Sequence, residues 1–352
     1  FGDREARSQR VRLAAISPII WAGLWLILIG TALATRPILP VDETRYLAVA
    51  WEMWNSGDYL VPHLNGQTYS HKPPLLFWLM NAGWAVFGPN DWWPRLVAPL
   101  FGLGCLLLTA RTARWMWPEI KTIYQAAPVI LLGCVFWTLF ATLTMFDMIL
   151  SFCTLLAING LLGAWRRNSG RGFVLFGLAI GLGFLAKGPA ILLTTLAPAL
   201  LAPLWGNALG GGAWRQGWKQ WYLKLLLALA GGLTIGLAWA IPAGLAGGEE
   251  YRNAIFWGQT TGRMVDSFAH SEPWWWYLVI LPALILPWTI WPTAWRAVPH
   301  LLKTAGPGVT TGMDDGGLRF CLIWFVPAFV AFSAISGKQF HYLLPVFPAL
   351  AL

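Results

Sequence analysis

Charge is the scarcest feature of this sequence: only 11% of its 352 residues are Asp, Glu, Lys or Arg, whereas soluble domains carry about 25%. Repeated apolar runs replace the missing charge, and many are long enough to cross the ~30 Å hydrocarbon core of a bilayer. The chain contains 25 Trp residues, often at the ends of those runs, where indole favours the membrane interface. The composition excludes a soluble globular class and predicts an all-α polytopic membrane protein.

Cysteine is also scarce. The four residues present, Cys105, Cys134, Cys153 and Cys321, all lie inside apolar runs. Their spacing matches neither a metal site nor a pairing pattern, so we interpret them as small buried apolar side chains. The net charge is +9, but no basic stripe lies in a soluble segment, which argues against a nucleic-acid partner.

The apolar runs predict about ten transmembrane helices. We expect them near residues 16–34, 93–113, 122–140, 144–164, 173–187, 189–205, 222–243, 274–295, 318–335 and 340 to the end. Four arginines before the first run predict a cytoplasmic N-terminus. Alternating spans then place 16 of the 24 Lys and Arg residues inside and ten of the 15 acids outside. The first run has the length of an anchor, not of a cleavable signal.

Residues 1–352 are expected to form one transmembrane domain. Because the sequence starts at Phe1 and stops at Leu352 inside an apolar run, we expect a longer natural protein with a further C-terminal part. A Gly-rich stretch at 206–217 predicts a flexible connector. No internal repeat of the transporter kind is evident.

Two predicted outer segments, 36–92 and 245–273, are longer than turns. In the first, residues 43–56 predict a helix that stops at Gly57. Its apolar positions recur every three to four residues: Tyr46, Val49, Ala50 and Met53. Residues 74–87 are too short for a span and predict a helix in the membrane interface.

Ionisable and polar residues that a membrane tolerates poorly fall on one side of the predicted topology, the outer side. They are Asp42, Glu43, His71, Lys72, Asp147, Lys187, Arg263, His270, Lys338, His341 and Tyr342. These residues come from loops and helix ends spread over the whole chain. Their shared side predicts one site assembled from several helices.

Each candidate also has a purely structural interpretation, which the sequence leaves open. Asp42 is either an N-cap of the helix 43–56 or a general base, and Asp147 is either an exposed cap or a functional acid. Lys72 either snorkels to the surface or holds a lipid phosphate. Lys187 either compensates a helix dipole or joins the site. His270 and the turn 336–342 have the same two interpretations.

Three motifs in the first predicted loop resemble a known family: Asp42-Glu-Thr-Arg-Tyr46, Gly57-Asp-Tyr-Leu-Val-Pro-His-Leu-Asn-Gly66 and Tyr69-Ser-His-Lys-Pro-Pro-Leu75. Further matches are Ala186-Lys-Gly-Pro189, Phe256-Trp-Gly with Arg263, Phe268-Ala-His270 through Pro273-Trp-Trp, and Ser336-Gly-Lys-Gln-Phe-His-Tyr-Leu-Leu-Pro345. These segments are similar to the bacterial aminoarabinose–lipid A transferases and the related protein O-mannosyltransferase-like enzymes. The resemblance covers nearly the whole chain in the right order and implies the C-type glycosyltransferase fold.

The resemblance further implies inverting transfer of a sugar from a polyprenyl-phosphate donor at the outer face of a bacterial inner membrane. It makes Asp42 the catalytic carboxylate and places the positions of Tyr46, Tyr69, Lys72, Asp147, His270 and Tyr342 around the same cavity. We expect Lys72, Arg263 and Lys338 to stabilise the leaving phosphate. A single inverting displacement needs no second nucleophilic carboxylate. Membrane lipids and a lipid, glycan or protein acceptor are the other expected partners.

A metal ion is the one cofactor that the resemblance suggests. Related enzymes often have Glu immediately before the lysine, where this chain has His71, and that Glu can share a metal with a histidine. A pair of His71 and His270 is the remaining candidate ligand set for Zn or Mg; no other cofactor is expected. Two other functions stay open: a transporter or flippase for a lipid-linked sugar, and a non-catalytic binder of one.

Overall fold

The computed structural model describes residues 18–209, 214–262, 271–293, 295–296 and 315–352. These residues are almost entirely helical. The helices are α1 Pro18–Thr35, α2 Asp42–Ser56, α3 Leu75–Phe87, α4 Trp92–Met116, α5 Lys121–Gly133, α6 Val135–Ala141, α7 Phe146–Arg167, α8 Arg171–Lys187, α9 Ala190–Leu200, α10 Ala202–Leu209, α11 Gly217–Ala246, α12 Gly248–Asn253, α13 Trp276–Leu284, α14 Asp315–Ala334 and α15 Phe347–Ala351. A π-helix lies at Ala254–Gly262, and 3₁₀-helices lie at Trp288–Ile290 and Phe340–Val346.

The strands of the described residues form one short antiparallel hairpin in the first loop, β1 His63–Leu64 paired with β2 Gln67–Thr68. Its turn residues Asn65 and Gly66 have φ angles of 54° and 73°, the left-handed conformation that a two-residue Asn-Gly turn requires. The backbone N–H groups of both turn residues donate to the Glu52 carboxylate. Helix α2 thereby fixes the hairpin.

Both helices predicted in the first loop are confirmed as α2 and α3. The four apolar residues of α2 are buried as their spacing predicted. Gly57 ends α2 with a φ of 70°, and its N–H donates to the carbonyl of Met53 at 3.0 Å. The N-cap interpretation of Asp42 is wrong: Val41 is the N-cap, and Asp42 is the first helical residue with no side-chain capping bond.

The all-α polytopic class is confirmed. Within the described ranges, four helices are long and apolar enough to cross a membrane, in α4, α7, α11 and α14. The count rises to six if α5–α6 and α9–α10, bent by 76° and 56°, each form one span. Three further apolar helices are shorter, at Ile19–Thr35, Leu75–Phe87 and Phe340–Ala351, so the number ten remains a prediction.

Two expectations about the second half of the chain need correction. The predicted span 274–295 is not one continuous helix, because α13 ends at Leu284 and a 3₁₀ turn follows at Trp288–Ile290. The predicted flexible connector 206–217 begins too early, because residues 206–209 still belong to α10. There Gly206 faces the Trp165 ring, which leaves no room for a larger side chain. Residues 210–213 lie outside the described residues.

Helix α7 occupies the centre of the bundle, and nearly all its residues are buried. It packs against α8 where Gly160 and Gly172 meet: a Cβ on Gly160 would lie 2.7 Å from the carbonyl oxygen of Gly172. On its other side α8 meets α11, where a Cβ on Gly177 would lie 2.7 Å from the Ala228 carbonyl oxygen. Glycines permit such close helix packing in membranes. The four cysteines are unpaired and buried, as predicted.

Candidate active site

The start of α7 and the end of α8 meet at one end of the bundle and form a buried ion pair. Asp147 Oδ1 lies 2.5 Å from Lys187 Nζ, and the two side chains are only 4% and 12% exposed. His341 Nε2 lies 3.8 Å from the other carboxylate oxygen of Asp147. Lys187 Nζ also lies 4.3 Å from the ring centroid of Tyr342. The exposed-cap interpretation of Asp147 is therefore wrong, because the first turn of α7 faces the protein interior.

Residues of the first loop border this ion pair through aromatic rings. Tyr46 packs edge-on against Phe146 with the ring centroids 5.0 Å apart, and its hydroxyl lies 3.4 Å from Asp42 Oδ1. Lys72 Nζ lies 5.9 Å from the centroid of Phe146. Because Phe146 is next to Asp147 in α7, this ring connects the two groups of candidates.

Asp42 differs from Asp147 in its access to solvent. Its side chain is 44% exposed, and Oδ1 lies 3.2 Å from Nη2 of Arg45, one turn along α2. The hydroxyl of Tyr46 approaches the same oxygen. An accessible carboxylate held by a cation and a hydroxyl can accept a proton from an incoming hydroxyl group.

The carboxylate of Glu43 accepts hydrogen bonds from other residues of the protein. Its two carboxylate oxygens accept from Nη1 and Nη2 of Arg36 at 2.5 and 3.0 Å. They also accept from the backbone N–H groups of Leu39 at 2.8 Å and Thr144 at 2.7 Å. Burial alone raises the pKa of Glu43, but these hydrogen bonds and the Arg36 charge lower it overall. The carboxylate of Glu43 therefore ties α2 to the turn before α7, and its expected role in binding substrate remains a prediction.

Two arginines that the sequence reasoning missed complete this connection. Arg36 Nη2 donates to the carbonyl of Thr142 at 3.0 Å, and Arg95 Nη2 donates to the carbonyls of Ala32 and Arg36. Arg95 is only 7% exposed. A buried arginine at a predicted span end was a usable signal, but its partners are backbone carbonyls, which a sequence does not reveal.

Lys338 is held by backbone carbonyls of two loop segments. It is 3% exposed, and its ammonium group donates to the carbonyls of Glu272 and Ile335 at 2.7 and 2.6 Å. Burial lowers the pKa of Lys338, and the Glu272 charge partly offsets that shift. Its predicted contact with a phosphate remains a prediction.

The remaining candidates lie in the first loop or outside the described residues. Tyr69 stacks on His71 with the ring centroids 5.3 Å apart and packs edge-on against Phe77. Arg263 and His270 lie outside the described residues. Within the described part of the chain, no three His, Cys, Asp or Glu residues form a group that could hold a metal ion. The metal role of His71 and His270 therefore remains a prediction.

Comparisons with known proteins identify relatives of this chain. Residues 71–239 match the family described as dolichyl-phosphate-mannose-protein mannosyltransferase. The chain is 30% identical over 336 residues to undecaprenyl phosphate-alpha-4-amino-4-deoxy-L-arabinose arabinosyl transferase 2 of Pseudomonas fluorescens, covering 94% of this chain and 57% of that protein. It is 32% identical to the corresponding transferase of Pseudomonas aeruginosa, covering 88% and 54%. The chain thus spans a little over half the length of these curated relatives.

Solved structures show the same fold. The crystal structure of ArnT from Cupriavidus metallidurans bound to undecaprenyl phosphate superposes with a TM-score of 0.78 at 24% identity, covering 95% of this chain and 58% of that one. An oligosaccharyltransferase of Archaeoglobus fulgidus superposes with a TM-score of 0.55 at 15% identity, covering 96% and 49%. The predicted resemblance and the C-type glycosyltransferase fold are both confirmed.

Proposed function

We propose that this chain, as a relative of the undecaprenyl-phosphate aminoarabinose transferases, carries the active site of an inverting glycosyltransferase. The enzyme would move a sugar from a polyprenyl-phosphate donor to an acceptor. The observation that supports this proposal most strongly is the arrangement of side chains at one end of the bundle. There the accessible carboxylate of Asp42 contacts Tyr46, which packs on Phe146 beside the buried Asp147–Lys187 pair. The names of the relatives support the donor class.

The chemistry follows from these positions. Asp42 accepts the proton of an acceptor hydroxyl, whose oxygen attacks the anomeric carbon of the donor sugar. The bond between that carbon and the phosphate oxygen breaks with inversion, and polyprenyl phosphate leaves with the bonding electron pair. Lys72 and Arg263 are the cations proposed to stabilise the phosphate charge in a site of low dielectric. Asp147 fixes Lys187, and we propose that this pair and His341 bind sugar or acceptor hydroxyls.

We further propose the location and partners. The chain is a multi-pass membrane protein, and the excess of basic residues on one side supports a cytoplasmic N-terminus in a bacterial inner membrane. The active site then lies on the extracytoplasmic side. The acceptor is a lipid such as lipid A, a glycan or a protein. A metal held by His71 and His270 is retained as a proposal, and loss of activity on chelation is its test.

A transporter of the same lipid-linked sugar is the weaker candidate. Transporters place substrate groups near the bilayer midplane on broken helices. The ion pair of Asp147 and Lys187 lies instead at the first turn of α7 and the last turn of α8. At mid-helix in α7, the described polar contacts join neutral groups, such as the hydroxyls of Thr154 and Thr194 and the amide of Asn159 with the hydroxyl of Thr112.

The test uses purified protein in lipid nanodiscs with a panel of polyprenyl-phosphate sugars and membrane-extract acceptors. Release of free polyprenyl phosphate and labelling of the acceptor are followed for wild type, Asp42→Asn and the control Asp58→Asn. Asp58 accepts from the backbone N–H groups of Leu60 and Val61, and Asn can keep these bonds. We expect turnover in wild type and the control, and none in Asp42→Asn. Donor binding without release in wild type would instead support transport or passive binding.

A further inference from the structure

Two segments that are far apart in sequence are joined near the candidate site. Ser271 and Gly337 form an antiparallel bridge, and the N–H of Glu272 donates to the carbonyl of Ser336 at 3.2 Å. The Tyr277 hydroxyl donates to the carbonyl of Gln339 at 2.8 Å. We call this contact between residues 271–277 and 335–339 the loop clasp.

Lys338 lies at the centre of the loop clasp. One of its ammonium hydrogen bonds goes to Glu272 in the first segment, and the other goes to Ile335 in its own segment. Hydrogen bonds from a charged donor are about twice as strong as neutral ones. A buried ammonium group that lost these carbonyls would be left without compensation. The side chain thus adds a charged hydrogen bond between the two segments to the bridge and the two neutral hydrogen bonds described above.

The loop clasp leads directly into the candidate site. The 3₁₀-helix Phe340–Val346 starts two residues after Lys338. Its second residue, His341, faces Asp147, and its third, Tyr342, lies against Lys187. A shift of the turn 336–339 would therefore move both side chains relative to the buried ion pair.

We propose that Lys338 is a positioning residue: by locking the loop clasp, it holds His341 and Tyr342 against Asp147 and Lys187. This inference rests on the proposed function for its effect on turnover and is the alternative to the expected phosphate contact of Lys338. A misplacement of about 1 Å at an active site can reduce the rate by about 100-fold. The conformation of the turn 336–339 is therefore expected to determine the rate of sugar transfer.

The first test is Lys338→Met, which keeps the length of the side chain and removes the ammonium group. We expect kcat to fall by roughly 10- to 100-fold, while KM for the polyprenyl-phosphate donor stays within about threefold because no phosphate ligand is lost. Tyr277→Phe, which removes only the hydroxyl bond to Gln339, is a milder variant and should shift kcat in the same direction. A large rise in KM with unchanged kcat would overturn the proposal and restore the phosphate contact.

The second test is rescue by a cross-link. Ser271→Cys and Gly337→Cys, placed on directly bridged residues, are within reach of a disulfide, and the four native cysteines are all buried. In the Lys338→Met background, oxidation should restore most of kcat, and reduction should remove it again. A formed disulfide that restores nothing would contradict a positioning role.

A third readout does not depend on turnover. Hydrogen exchange of residues 271–277 and 336–342 should accelerate in Lys338→Met and slow again in the oxidised double-cysteine protein. If wild type shows no glycosyl transfer, the proposed function fails. The exchange measurement still tests whether Lys338 holds the two segments of the loop clasp together. Unchanged exchange in Lys338→Met would refute it.

Discussion

At the scale of single residues, the adjacent acids Asp42 and Glu43 show how environment separates two identical functional groups. Asp42 is accessible, with one cation and one hydroxyl near Oδ1. Glu43 is almost fully buried and accepts from Nη1 and Nη2 of Arg36 and from two backbone N–H groups. The sequence marked both as candidates. It could not separate them, because the donors to Glu43 include the backbone N–H of Thr144, which is 101 residues away in the sequence.

The first prediction concerns Glu43→Gln and pH. The folded-state pKa of Glu43 lies below its ordinary value of 4.5, so the ionised form stabilises the fold above pH 4.5 and this stabilisation disappears as pH falls through the lowered pKa. Wild type should lose thermal stability on acidification by more than Glu43→Gln does. Unfolding temperatures of nanodisc samples between pH 7 and pH 3 measure this difference. Parallel curves for the two proteins would exclude a stabilising charge at Glu43.

The second prediction concerns the pair of Asp147 and Lys187. Removing one member leaves a buried charge alone, which costs about 3–5 kcal/mol. Asp147→Asn and Lys187→Gln should each lower the unfolding temperature strongly, and the double variant should be more stable than the sum of the single losses predicts. All three variants should lose turnover. Additive effects on stability would mean that the two side chains do not interact.

At the scale of helices, the sequence predicted local patterns well and chain breaks poorly. The buried face of α2 could be predicted from the spacing of four apolar residues, and its end from Gly57. Both signals lie within the helix or directly after it. The bends between α5 and α6 and between α9 and α10 depend on how neighbouring helices pack, so hydrophobicity alone predicted continuous spans. The Asp147–Lys187 contact was beyond prediction for the same reason, since it depends on the register between α7 and α8.

That register rests on close contact between glycines, which gives the third prediction. A Cβ on Gly160 would lie 2.7 Å from the Gly172 carbonyl oxygen and 3.0 Å from the Phe176 nitrogen. Gly160→Ala should therefore destabilise the protein by about 1–3 kcal/mol through overpacking. Gly163→Ala is the matched control, because its Cβ would meet only the Trp115 ring at 3.8 Å. The control should be neutral or slightly stabilising, and equal losses in both variants would contradict the packing argument.

At the scale of the whole molecule, the candidate site residues that the structure describes gather at one end of the bundle, while arginines such as Arg166 and Arg167 end α7 at the other. The sequence predicted this separation because successive spans alternate in direction and the Lys and Arg residues of the whole chain fall mainly on one side. It could not show that the Lys338 ammonium group donates to the carbonyls of Glu272 and Ile335, since both partners are backbone groups. Topology constrains which loop a residue occupies but not its contacts.

The fourth prediction tests the orientation of the bundle. Because the native cysteines are buried, a single new cysteine reports its own side of the membrane. In intact spheroplasts, a membrane-impermeant maleimide should label Asn55→Cys, next to the exposed end of α2, but not Arg171→Cys at the start of α8. Both should react after permeabilisation. The reverse pattern would place the candidate site in the cytoplasm.

The most direct measurement of the central claim is the anomeric configuration of the product formed from whichever donor turns over. One displacement with Asp42 as base inverts the anomeric carbon, whereas retention needs a second carboxylate that first bonds to the sugar. NMR of the labelled acceptor should show the configuration opposite to that of the donor, and Asp42→Asn should yield no product. A product that retains the donor configuration would contradict direct transfer from the lipid phosphate.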